Sequence, residues 1–217
     1  MSAKIITIAH QKGGVGKSTI AINLATELNK KHDLKVIDLD YQKSITIFNE
    51  TRKEKELKPL DIIQIDTQNE LINFLKQTDD LVLIDSGGFD SDLNRIAIIG
   101  ADLIITPLSN NLIEIYGLEA FKKILKELKE LEPNIKSHVL LNNVNPQAKK
   151  SIKELQEYIK SNNEYFELFD TVFRRRADFA KSFEEGKSVI EIDKKSKASK
   201  ELKNLIKEIK RVLNGQI

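Results

Sequence analysis

The 217-residue chain contains no cysteine. That excludes a disulfide framework, a thiolate metal site and an iron–sulfur cluster, and it suits an intracellular protein. Long apolar runs are missing too, since none approaches the roughly 20 residues that a membrane span requires. The chain begins almost directly with the apolar run Ile5-Ile6-Thr7-Ile8-Ala9, without the hydrophobic stretch and cleavage site of a signal peptide. Histidine is scarce and scattered, as His10, His32 and His138. His10 adjoins a glycine-rich loop, but a lone neutral ring there reads as structural rather than catalytic. A strong overall charge is also lacking, at +2, yet its distribution is uneven. From Lys187 onward there are nine basic and four acidic residues, so this segment carries +5 and the rest of the chain about −3.

With 40% hydrophobic and 31% charged residues, the composition is that of a soluble globular protein, and the length suits one α/β domain. Short apolar runs at 4–9, 35–39, 60–65, 81–84, 103–106 and 138–141 read as strands. Several are apolar throughout, as strands covered on both faces are. Helical patterns lie between and after them, at 18–30, 68–76, 113–131, 149–160 and 196–213. The last carries Leu202, Leu205, Ile206, Ile209, Val212 and Leu213 at a 3.6-residue period. The alternation predicts an α/β fold with a doubly wound, mostly parallel sheet flanked by helices. Ligands of such sheets bind at the carboxyl ends of the strands. The charged segment 50–58 reads as solvated surface.

The first strand runs into Lys12-Gly13-Gly14-Val15-Gly16-Lys17-Ser18-Thr19, and a helix follows. That is the strand–loop–helix setting of a phosphate-binding P-loop. Glycines let backbone N–H groups converge on phosphate oxygens, and the helix N-terminus adds unpaired donors. Lys17 offers a charge to the β- and γ-phosphates of ATP, and the Ser18 hydroxyl is a Mg2+ ligand. Leu81-Val82-Leu83-Ile84-Asp85, an apolar strand ending in an acid, has the Walker B form, in which the carboxylate holds a Mg2+-bound water. Asp38 and Asp40 lie two apart at the end of the second strand, which puts them on one face if the strand continues. Read as residues alone they are better taken as turn or capping aspartates.

The loop departs from the ordinary pattern, with Gln11 where the first glycine usually stands and Lys12 behind it. This resembles the deviant Walker A loop, Lys-Gly-Gly-x-x-Lys-Ser/Thr, of the ParA/MinD family of dimeric ATPases. The resemblance implies that Lys12 reaches across a dimer interface to the partner's nucleotide. Asp38-Leu39-Asp40-Tyr41-Gln42 is similar to the family's Asp-x-Asp-Pro-Gln, with tyrosine in place of proline. It implies that Asp40 positions the attacking water and Asp38 supports the Mg2+ shell. Ser86-Gly87-Gly88 departs from the usual Pro-Pro or Ala-Gly, in a segment that would serve as a γ-phosphate switch. Residues 101–107 resemble the strand that ends in proline before a specificity loop. Asn142 matches the asparagine near the adenine, although a turn or capping asparagine reads the same. Residues 172–176 and 182–189 resemble the late arginine and the Ser-x-x-x-Gly-x-x-Val that follows it.

As a whole the chain is similar to a small ParA without an N-terminal DNA-reading domain. The implied activity is Mg2+-dependent ATP hydrolysis in plasmid or chromosome partition, in the cytoplasm and on the nucleoid. The implied partners are a second copy with ATP, non-specific DNA, and a ParB-like centromere-binding protein that stimulates hydrolysis. Basic residues suited to phosphate contacts include Arg174, Arg175, Lys200, Lys203 and Lys207. A MinD-like membrane-associated positioning ATPase is the alternative, and would need an amphipathic tail free to enter the lipid interface without stable insertion. A metabolic or accessory ATPase on the same fold is a third class.

Overall fold

The apolar runs form the centre of a parallel sheet. The structure is a computed structural model and describes residues 3–111, 113–145, 147–215 and 217. Its strands are β1 (Lys4–Ile8), β2 (Leu34–Asp38), β3 (Asp61–Ile62), β4 (Leu81–Asp85), β5 (Leu103–Leu108), β6 (Ser137–Val144) and β7 (Phe166–Arg174). The helices are α1 (Lys17–Leu28), α2 (Ser44–Glu54), α3 (Gln68–Gln77), α4 (Asp92–Ile99), α5 (Glu114–Leu128), α6 (Lys149–Ser161), α7 (Ala177–Glu185), α8 (Val189–Ile192) and α9 (Lys197–Val212). Strand order is β3-β2-β4-β1-β5-β6-β7, all parallel among the described residues. This is the doubly wound architecture that the alternating pattern predicts.

Strand side chains alternate between two apolar layers. Ile6 and Ile8 of β1, Leu81 and Leu83 of β4, and Leu103 and Ile105 of β5 face the layer built from α1, α2, α8 and α9. Ile5, Val82 and Ile84 face the opposite layer with Leu71 of α3 and Ala97 of α4. Ile104 and Leu108 meet Leu118, Phe121 and Leu125 of α5. Both faces are covered, so these strands are apolar at nearly every position, with Thr7, Thr106 and Asp85 as buried exceptions. The stripe of α9 belongs to the first layer, with Leu202, Leu205 and Ile209 fully buried.

Three readings of the sequence are corrected. The segment 50–58 is not simply solvated surface. Residues 50–54 complete α2, and Arg52 is buried at 3% exposure. Its guanidinium donates to the carbonyls of Lys58 and Gly186 and to Glu191, which satisfies a charge that would otherwise be expensive to bury. The run 60–65 yields only the two-residue β3. β2 ends at Asp38, so Asp40 lies beyond the strand and the alternation rule does not place the two aspartates.

Candidate nucleotide site

The loop between β1 and α1 lies at the carboxyl end of the central strand. Gly14 and Gly16 hold φ of 75° and 96°, the left-handed region in which a Cβ is strained. Gly16 is also crowded: a Cβ there would collide with the Asn142 amide at the end of β6. That amide donates to the Val15 carbonyl at 2.8 Å, so Asn142 braces the loop from β6, two strands away from β1.

Lys17 is buried at 5% exposure, and its ammonium donates to the Lys12 carbonyl at 3.2 Å, across the mouth of the loop. Burial lowers its pKa, while Asp85 and Asp40 act in the opposite sense. Asp85 is fully buried, and neither carboxylate oxygen has a hydrogen-bond partner. Burial pushes its pKa up to about 8. The Ser18 hydroxyl and Lys17 lie close enough to oppose that shift, but Ser18 makes no hydrogen bond of normal geometry to it. The two orphaned Asp85 oxygens and the nearby Ser18 hydroxyl are hard oxygen donors, although no three acidic or histidine side chains converge on one point among the described residues. Ser18 and Asp85 therefore fit a Mg2+ that takes its remaining ligands from phosphate and water.

The aspartates of the second motif have different surroundings. Asp38 is buried and pairs in register with Asp85 across β2 and β4. Its oxygens accept the backbone N–H groups of Asp40 and Thr46 and the Thr46 hydroxyl, which ties the loop to the start of α2. Burial raises its pKa, against those hydrogen bonds and Lys43. Asp40 is half-exposed and accepts only the Gln42 N–H, at 2.9 Å. It opens into the cavity bounded by Lys17, Ser18, Thr19 and Gly88. Gly88 packs on the loop head, where a Cβ would come within 3.2 Å of the Gly13 nitrogen. The Ser86-Gly87-Gly88 segment thus touches the P-loop directly, and Asn94 holds it by accepting from Gly87 and donating to Phe89.

A second cavity opens on the other side of the loop, bounded by residues 12–16, Thr19, Asn142, Asn143, Arg174, Arg176 and Phe179. Arg174 and Arg176, at the end of β7, both donate to Glu201 of α9. Arg174 therefore borders the loop cavity, whereas Lys200, Lys203 and Lys207 are exposed on the outer face of α9. Arg175 is exposed at the end of β7. Lys12 carries its ammonium on Glu114 of α5 at 2.5 Å. His10 accepts the Lys12 N–H through Nδ1 and is too buried to protonate, with a pKa lowered to about 3. Lys12, Lys17, Ser18, Asp40, Asp38, Asp85 and Asn142 are thus brought together, and the three α9 lysines stand apart. Glu114 and Thr46 escape sequence reasoning and carry no local signal, whereas Arg176 belongs to the basic run within 172–176.

Residues 6–189 match the CobQ/CobB/MinD/ParA nucleotide binding domain. A ParA protein of Rhizobium radiobacter is 28% identical over 148 residues, covering 65% of each chain. The provisionally named plasmid partition protein BB_S35 of Borrelia burgdorferi, crystallised with AMPPNP, superposes with a TM-score of 0.73 at 22% identity and covers 100% of both chains. The McdA variant of Cyanothece in complex with ATP gives 0.75 at 16% identity, over 100% of this chain and 99% of the other. Likenesses at that identity establish a shared fold.

Proposed function

The chain belongs to the CobQ/CobB/MinD/ParA nucleotide binding domain family, and from that premise we propose that it is a Mg2+-dependent ATPase of DNA partition. ATP closes a dimer, the dimer binds DNA without sequence preference, and hydrolysis releases it. The observation that carries this reading is the gathering of Lys17, Asp40 and the unpartnered Asp85 at one loop, with the exposed lysines of α9 apart from it.

In the reaction, backbone N–H groups of residues 13–19 hold the phosphates and Lys17 offsets their charge. Asn142 fixes the far side of the loop through Val15. Asp40, with one carboxylate oxygen free of the Gln42 contact, orients the attacking water. Lys12 of one copy stabilises the phosphoryl group held by the other, as an arginine finger does. Ser18 would hold a Mg2+ ion, with Asp85 and Asp38 supporting it through water, and the ion would supply charge neutralisation of the phosphates. DNA is held by phosphate neutralisation through Lys200, Lys203 and Lys207, with Arg175 at the end of β7. A ParB-like centromere-binding protein supplies the stimulus for hydrolysis, on the nucleoid of the cytoplasm.

Docking to a membrane through the last helix is the weaker alternative, because its apolar stripe is occupied by the core. No helix among the described residues is long and apolar enough to cross a membrane. DNA retardation with ATP, ADP and no nucleotide, at two salt concentrations, tests the reading. It predicts a shift only with ATP, independent of sequence and steeply weakened by salt. Equal affinity with ADP and ATP would refute it.

A further inference from the structure

Lys12 is already engaged within its own chain. Its ammonium sits on Glu114 Oε1 at 2.5 Å, and the Glu114 side chain is only 7% exposed while that of Lys12 is 42% exposed. The other carboxylate oxygen, Oε2, is buried without a partner. The main chain of Lys12 is held as well, since its N–H donates to His10 Nδ1 at 2.9 Å. His10 stacks on Phe121, with ring centroids 6.3 Å apart. It lies so close to Gly117 that a Cβ there would come within 2.9 Å of the ring. Residues 114, 117 and 121 share one face of α5. One helix face therefore holds Lys12 by its ammonium directly and by its backbone through the imidazole.

We propose that Glu114 is a positioning residue that latches Lys12 in the monomer, and that ATP-driven pairing of two copies must open this latch. The proposal rests on the reading of Lys12 as the group that crosses the dimer. While the ammonium sits on Glu114 its charge is already paired with a carboxylate of its own chain. Leaving strands a mostly buried carboxylate without its cation, which opposes release. Two latches open per dimer, so the opposition counts twice. Idle dimerisation and idle turnover are held down, and a phosphate-bearing second copy is the competing anion that draws the lysine out.

The test uses the whole chain and the non-hydrolysable analogue AMPPNP with Mg2+. Dimer affinity is measured by analytical ultracentrifugation for wild type and for Glu114→Gln, Glu114→Asp and Lys12→Ala. Glutamine keeps the shape and removes the charge, so Glu114→Gln is expected to dimerise at least about tenfold more tightly and to show higher unstimulated turnover at low protein concentration. Glu114→Asp keeps the charge one methylene further away and is expected to fall between. A residue with a merely structural role would weaken dimerisation when replaced. Equal or weaker dimerisation of Glu114→Gln, with Lys12→Ala inactive, overturns the latch and leaves the lysine reading standing. Full turnover in Lys12→Ala overturns the lysine reading itself, and the latch with it. If Glu114→Gln does not fold, the Lys12 Nζ resonance of wild type decides by NMR. Its position is expected to change when AMPPNP dimerises the protein, and an unchanged position refutes the latch.

Discussion

Asp85→Asn is expected to make the nucleotide-free protein more stable while abolishing its activity. The carboxyl is fully buried, has no hydrogen-bond partner, and titrates near 8 in the native chain against 3.8 in the open one. Between those values the native state keeps a proton that the unfolded state has lost, so stability falls as pH rises through this window and the full loss is reached above 8. Each pH unit in the window is worth about 1.4 kcal/mol, so at pH 7, about three units above the open-chain value, the wild type forgoes at most ~4 kcal/mol. That value already includes the opposing charge of Lys17, whose own lowered pKa has the opposite pH dependence. An asparagine amide left unpartnered in the same buried place costs about 1–3 kcal/mol, so the expected gain for Asp85→Asn is about 2 kcal/mol at pH 7, or roughly 4–8 °C in melting temperature for a chain of this size. Urea unfolding followed by circular dichroism, in EDTA and without nucleotide, measures it at pH 5.5, 7 and 8. The gap between variant and wild type should widen with pH. A gap that is absent or reversed at pH 8 would refute the reasoning, because Asp85 would then have a partner in the apo protein.

The other substitutions separate binding, chemistry and DNA contact. Lys17→Ala should lower ATP affinity at least ~100-fold by calorimetry. Its stability should change by only about 1 kcal/mol, because one hydrogen bond to Lys12 is lost together with a buried charge. Asp40→Ala should bind ATP with near wild-type affinity and lose most turnover, trapping the ATP dimer in ultracentrifugation; wild-type turnover would exclude Asp40 from the chemical step. Charge reversal of Lys200, Lys203 and Lys207 to glutamate should reduce ATP-dependent DNA binding by at least ~100-fold and leave AMPPNP-driven dimerisation unchanged, with undiminished retardation as the contrary result.

The P-loop was legible because its requirements are local. Glycines at positive φ, a lysine and a hydroxyl must follow one strand and open one helix, and Gly14, Gly16, Lys17 and Ser18 do so consecutively. β4 and β5 were legible because burial on both faces makes their sequences nearly continuous apolar runs. β7 was not, because it is an edge strand whose Glu167 and Asp170 are exposed. Its free N–H groups at Asp170 and Thr171 are taken by Glu208, 38 and 37 residues on, which no local pattern announces. Glu114 is hidden for the same reason, since 102 residues separate it from Lys12. Asp38 shows the limit of motif reasoning: the motif gives the residue, and only the fold reveals that Thr46 and Asp40 occupy its oxygens.

Charge on α9 is sorted by face, and this decides how its lysines are read. The inward glutamates are committed: Glu201 accepts from Arg174 and Arg176, and Glu208 caps the edge of β7. Lys200 and Lys207 have no ion pair among the described residues, and Lys203 donates only to the Lys194 carbonyl. A helix with six basic and two acidic residues thus turns both acids inward and presents an almost purely cationic outer surface. A surface that neutralises its own lysines releases few counterions on meeting DNA, whereas this one keeps them available. Arg174 belongs to neither group. It links the loop cavity to α9 through Glu201, so its removal should disturb nucleotide binding before DNA affinity. An effect confined to DNA affinity would place it with the lysines instead.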